Sequence, residues 1–178
     1  MRRPLDEQRL RDFLRALGQQ ATGDLRIYLT GSATAVLHGW RQSTVDVVLK
    51  MEPERDEVFR AIPRLKQEHQ VNVELASPEQ FIPELPGWRE RSLFIAQEGH
   101  ISYYHYDLYA QALAKIERSH ERDLADVKEM IDRGLILAPE LRRLFDAIEP
   151  RLYRYPGISA KSFRAAVESV ITNVTRHQ

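Results

Sequence analysis

The sequence predicts an α+β fold: a small mixed β-sheet flanked by helices, with a helical C-terminal part. Three observations predict it. Short apolar strand-like runs alternate with amphipathic helical runs through about residue 76. A hairpin-like pair of runs follows around Glu98-Gly99. From Asp107 onward one helical pattern succeeds another. The 178 residues suit one compact unit, with an α/β core over 1–106 and a helical part over 107–178 packed on it.

Residues 5–18 place Leu5, Leu10, Phe13, Leu14 and Leu17 at helical spacing, and Gly18 closes that helix. LRIYLT (25–30) reads as a strand, and Gly31-Ser32 opens a short apolar helix. Residues 44–50 (TVDVVLK) predict a second strand and 53–69 a second surface helix, with a kink expected at its internal Pro63. VNVELA (71–76) predicts a third strand. The proline-punctuated stretch 77–88 predicts one helical turn and then loop. RSLFIAQEG and HISYYHYD supply the hairpin. Residues 107–118, 120–134, 139–150 and 160–174 supply the C-terminal helices.

Composition removes several function classes. There is no cysteine, so neither a disulfide framework nor thiol catalysis is available. The longest apolar stretches are far too short to span a membrane. The start, MRRPLDEQRLRDFL, lacks an apolar h-region, so no signal peptide is expected and a cytoplasmic location is. The six histidines (38, 69, 100, 105, 120, 177) show no zinc spacing, and no G-x-S-x-G elbow occurs. The 26 basic and 26 acidic residues cancel, but unevenly along the chain. Residues 1–50 carry net +3, 51–135 net −6 and 136–178 net +3. Basic ends around an acidic middle leave room for a local contact with nucleic acid.

The chemistry concentrates in LTGSATAVLHGWRQSTVDVVLK (29–50). A strand-to-helix turn at Gly31-Ser32 exposes backbone N–H groups and is a potential phosphate site, or simply a serine-capped turn. Asp46 lies in the next strand, where Thr44, Asp46 and Val48 share one face by alternation. A charge inside an apolar strand is costly unless something pairs with it. A carboxylate aimed at phosphates is a natural Mg²⁺ ligand.

At these residues the chain resembles the nucleotidyltransferase superfamily of polymerase-beta-like fold. That superfamily is marked by Gly-Ser or Gly-Gly, a gap of about this size, and Asp-x-Asp. The resemblance extends to bacterial nucleotidyltransferase-like proteins related to the AbiEii and MenT toxins, whose Lys and Arg-Asp-Leu-x-Asp segment looks like DLYAQALAKIERSHERDLADV (107–127). It implies that Gly31, Ser32 and Thr44 hold the phosphates of an NTP. It also implies that Asp46 and Glu74 hold Mg²⁺ or Mn²⁺, Lys115 contacts phosphate and Asp123 completes the polar site. An acceptor such as the tRNA 3′ end and a cognate antitoxin protein are implied partners. One position departs from the pattern. Val48 stands where the second Asp belongs, and valine ligates no metal, so a two-metal clamp is incomplete.

Other readings stand beside these. A fold that kept its shape and lost its chemistry would bind nucleotide, RNA or protein without turnover. Glu74 is equally a solvent-facing residue of an amphipathic strand. Lys115 and Asp123 fit an ordinary solvated helix face, together with the i,i+4 pairs Arg122–Asp126 and Glu129–Arg133. Tyr103, Tyr104, Tyr106 and Tyr109 are base-stacking candidates or strand and core residues. Phe145, Ile148, Leu152, Phe163, Val167 and Ile171 make either a docking face or a core.

Overall fold

The computed structural model describes residues 3–176; His177 lies outside them. The chain divides into two compact units, Met1–Ser77 with Ser92–Tyr106 and Pro78–Arg91 with Asp107–Gln178.

The first unit opens with α1 (Glu7–Gly18), capped by the Asp6 carboxylate, which accepts from the Arg9 amide at 2.9 Å. It continues through β1 (Leu25–Thr30), α2 (Ser32–His38), β2 (Asp46–Glu52), α3 (Asp56–His69), β3 (Asn72–Leu75), β4 (Leu93–Glu98) and β5 (Ile101–His105). The five strands form one sheet in the order β3-β2-β1-β5-β4. β1 runs antiparallel to β2 and parallel to β5, while β2 and β3 are parallel and β4 and β5 antiparallel. The sheet is therefore mixed, as the sequence predicts.

One face of this sheet carries Ile27, Leu29, Val47, Leu49 and Tyr103 into a core with Leu10, Phe13 and Leu17 of α1 and Val58, Ile62 and Leu65 of α3. Within that core the Tyr103 hydroxyl donates to the Leu14 carbonyl at 2.7 Å. By alternation the other face carries Arg26, Tyr28 and Thr30 of β1, Asp46, Val48 and Lys50 of β2, and Asn72 and Glu74 of β3. Glycines let α1 and the hairpin turn meet. A Cβ at Gly99, whose φ is +59°, would lie 2.6 Å from the Gly18 carbonyl oxygen, and one at Gly18 would strike the backbone of Glu98.

Several elements differ from their sequence expectation: Leu5 precedes the first helix, in a bridge with Thr44, and Arg91, expected to open a strand, ends a short helix (Trp88–Arg91). The second strand begins at Asp46 rather than at residue 44. Thr44 is tied to Leu5 by a pair of backbone hydrogen bonds, and its hydroxyl engages the backbone of Asp46, which holds residue 44 outside the ladder. α3 runs through Pro63 as one helix. The proline is exposed while Val58, Ala61, Ile62 and Leu65 bury the opposite side, so burial outweighs the one backbone bond lost.

The second unit contains a 3₁₀ turn (Pro78–Gln80) and α4 (Trp88–Arg91). It continues with α5 (Leu108–Arg118), α6 (Glu121–Asp132), α7 (Ala138–Ile148), a second 3₁₀ turn (Glu149–Arg154) and α8 (Ala160–Arg176). Asp107 starts α5: one carboxylate oxygen accepts from the Tyr109 amide at 3.2 Å, and the other accepts from Arg91 at 2.7 and 3.1 Å. Burial raises the pKa of Asp107 despite that arginine. Phe145 and Phe163 meet edge to face at 4.9 Å. Together with Ile148, Leu152, Val167 and Ile171 they are buried, so this apolar set is core and not a docking face. Among the described residues no helix is long and apolar enough to cross a membrane.

Candidate functional site

In the first unit, β1 ends at Thr30, and the turn to α2 follows at once. Gly31 has φ +70° and ψ −138°, a region that is essentially glycine-only, and a Cβ there would meet nothing within 4 Å. The glycine is thus required by the backbone path and not by crowding. α2 has seven residues and closes at Gly39, in the left-handed conformation. The amides of Gly39, Trp40 and Arg41 all turn back to the Ala35 carbonyl, at 3.0, 3.1 and 3.3 Å. This fold-back returns the Arg41 guanidinium to the start of the helix, where it donates to the Ser32 hydroxyl at 3.1 Å.

Register brings the remaining candidates to the same end of the sheet. Val48 pairs with Thr30, the residue before Gly31. Across the other edge of β2, Asp46 pairs with Asn72 and Val48 with Glu74. Asp46, Val48 and Glu74 therefore share a face and are near neighbours. Thr44 is buried, and its hydroxyl donates to the Asp46 carbonyl at 2.9 Å while accepting from the Asp46 amide at 3.2 Å. The Asp46 backbone is thereby fixed, and its half-buried carboxylate forms no hydrogen bond or ion pair among the described residues. Glu74 is exposed, and its carboxylate is likewise unpaired there.

In the second unit, α5 and α6 form a helical hairpin through Ser119 and His120. Lys115 donates to Asp126 at 2.9 Å and lies 3.6 Å from Asp123. Arg118 grips both oxygens of Asp123, at 2.6 and 2.7 Å. The side chains of Lys115, Asp123 and Asp126 are only 11%, 6% and 4% exposed. Burial raises the pKa of Asp123, but the Arg118 hydrogen bonds and the Lys115 charge outweigh it, and the carboxyl lies below its ordinary value. The solvated-face reading of Lys115 and Asp123 is therefore incorrect. Lys115, Asp123 and Asp126 are enclosed between the two helices, and Arg118, 60% exposed, closes over Asp123 from the solvent side, so two cations balance two carboxylates. The Glu129–Arg133 pair does form on the surface, at 3.0 Å.

A family model described as "Nucleotidyltransferase of unknown function (DUF6036)" matches residues 8–174, nearly the whole chain. The chain belongs to that family. No curated protein and no solved structure matches it.

For a nucleotidyltransferase the donor set is thin. Among the described residues no group of three or more histidines or carboxylates is placed to hold a metal ion. A two-metal clamp therefore does not fit. A single Mg²⁺ does, because that ion keeps several waters and takes one or two protein carboxylates plus substrate phosphates. Asp46 and Glu74 are the residues that would supply them.

Three polar residues, Arg41, Arg118 and Asp126, were not read as site or cluster residues from the sequence. Arg41 at Ser32 becomes visible only once the loop folds back. Asp126 and Arg118 stood in or beside the quoted Lys and Arg-Asp-Leu-x-Asp segment, so the signal was available. The tyrosines divide. Tyr103 and Tyr106 are buried, and the Tyr109 hydroxyl accepts from the Leu137 amide at 2.9 Å. Tyr104 is half-buried beneath the Arg26 guanidinium, 5.1 Å from its ring centroid. His105 is buried against His38, with ring centroids 4.3 Å apart. Burial first, and then His38 and Arg11, push its pKa down to about 3.

Proposed function

We propose that this chain binds a nucleoside triphosphate at the Gly31-Ser32 turn and transfers its nucleoside monophosphate to a hydroxyl acceptor. The observation that carries this reading is the half-buried Asp46 carboxylate, unpaired among the described residues and with its backbone fixed by Thr44 next to that turn, in a chain of the nucleotidyltransferase family. Gly31 shapes the turn, and Ser32 offers its hydroxyl to a phosphate oxygen. Asp46, with Glu74 beside it, would hold Mg²⁺ or Mn²⁺. The bound ion would neutralise triphosphate charge. The work of the chain's own groups is then orientation and electrostatics, which dominate phosphoryl-type transfers. RNA, the tRNA 3′ end in particular, is the proposed acceptor, and toxin of a toxin–antitoxin pair the proposed role. Both follow the resemblance to AbiEii- and MenT-related proteins.

Val48 favours a second reading, a nucleotide-binding module without turnover. One experiment separates the two. The wild-type protein, Asp46→Ala and Val48→Asp are each incubated with labelled NTPs, Mg²⁺ or Mn²⁺, and total RNA. Label incorporated by the wild type and lost in Asp46→Ala supports transfer. Incorporation by Val48→Asp alone supports a silenced scaffold, and NTP binding without incorporation supports the module. A wild type that neither binds NTP nor labels RNA refutes both.

A further inference from the structure

The Gly31-Ser32 turn has little positive charge of its own. α2 is a seven-residue helix, too short for its dipole to anchor a polyphosphate, and no lysine or arginine lies within it. The strand beside it offers a carboxylate at Asp46 and an aliphatic side chain at Val48. A triphosphate carrying three to four negative charges would meet one divalent ion where a full carboxylate set would hold two. Some other cation must make up the difference.

Arg41 is in place to do so. Its guanidinium touches the Ser32 hydroxyl at 3.1 Å, and Ser32 follows within two residues of Thr30, the register partner of Val48. The cation therefore lies at the start of α2, just past Thr30, whose register partner is Val48. The loop that carries it is pinned to α2 by three amide bonds to a single carbonyl, so it is held there by the backbone and not by chance. A guanidinium also presents its donors in a planar fork that matches two phosphate oxygens at once.

We propose that Arg41 is a phosphate-contact residue of the nucleotide site, supplying beside Ser32 the positive charge that a second metal ion would otherwise supply. The site thus takes a polyphosphate through one hydrated divalent ion and one arginine. It selects for the length of the phosphate chain. This inference rests on the nucleotide-site reading above.

The test is calorimetric titration of wild type, Arg41→Ala and Arg41→Lys with ATP, GTP, CTP and UTP, with the matching monophosphates, and with tripolyphosphate. Each is run in Mg²⁺ and in EDTA. Arg41→Ala should weaken triphosphate and tripolyphosphate binding by about tenfold or more, the scale of a lost charge-assisted hydrogen bond. It should leave monophosphate binding within about twofold, so the preference for triphosphate shrinks. Arg41→Lys should restore only part of that preference, because a point charge cannot replace the fork. If the alanine variant melts early, the lysine variant alone decides, on the same ratio. Unchanged triphosphate-to-monophosphate preference in the folded variant overturns the proposal and leaves the nucleotide site standing. A wild type that binds no triphosphate overturns the nucleotide site itself, and this inference with it.

Discussion

Replacing Lys115 by methionine should destabilise the protein substantially, because its ammonium is committed to the α5–α6 hairpin. Methionine keeps the length and the apolar stem and removes the charge. Asp126, 4% exposed, then loses its 2.9 Å donor, and Asp123 loses a neighbour at 3.6 Å. Breaking a buried ion pair by deleting one partner costs about 3–5 kcal/mol. Here Asp123 keeps both bonds from Arg118, and Lys115 itself is 11% exposed, so the low end, about 3 kcal/mol, applies. For a chain of this length that is a drop in Tm of about 6–12 °C. The assay is thermal and urea unfolding at pH 7, followed by circular dichroism. Adding Asp126→Asn to Lys115→Met should recover about half of the loss, since the second change removes the buried charge that Lys115 neutralised. A Lys115→Met variant within about 0.5 kcal/mol of wild type would mean that the ammonium is solvated and that the hairpin network contributes nothing.

Two further outcomes follow from the first unit. Gly31→Ala should cost about 1–3 kcal/mol purely through backbone strain at φ +70°, as no atom lies within 4 Å of the added methyl carbon; an unchanged urea midpoint would contradict the assigned backbone path. His105, with its folded pKa near 3 against 6.5 in the unfolded chain, binds its proton more readily once unfolded. The stability it contributes is complete above about pH 6.5 and is lost progressively as pH falls toward 3, at up to about 1.4 kcal/mol per pH unit. Urea midpoints at pH 7 and pH 5 should differ accordingly. His105→Gln should flatten that difference, and an equally steep profile in the variant would assign the slope to other groups.

Much of the architecture was readable from periodicity alone. The alternation in LRIYLT, the amphipathic run at 5–18 and the Glu98-Gly99 turn each encode a local choice with one stable outcome, and the structure contains all three. Exact strand limits were not readable, because they depend on partners distant in sequence. Thr44 leaves the ladder through its bond to Leu5, thirty-nine residues earlier, which no window around 44 can reveal. The α5–α6 cluster shows the same limit from the other side. As single helices, 107–118 and 120–134 each carry a polar stripe of the kind that solvent usually covers. Only the hairpin turns those two stripes toward each other, and burial follows from tertiary pairing that helical periodicity does not contain.

The contrast between the two acidic groups in these units bears on which is a ligand site. Asp123 and Asp126 are buried and fully answered by Lys115 and Arg118, so their charge is balanced within the fold. Asp46 is only half-buried, yet its carboxylate has no partner among the described residues, while Thr44 spends its hydroxyl on the Asp46 backbone on either side of that charge. A carboxylate held in a fixed place at the end of an apolar strand, with no partner among the described residues, is a feature that folding alone does not require. An asparagine would satisfy the same backbone geometry at lower cost. Asp46→Asn should therefore leave Tm unchanged or slightly raised while abolishing Mg²⁺-dependent NTP binding. A lowered Tm with binding intact would show instead that the charge serves the fold.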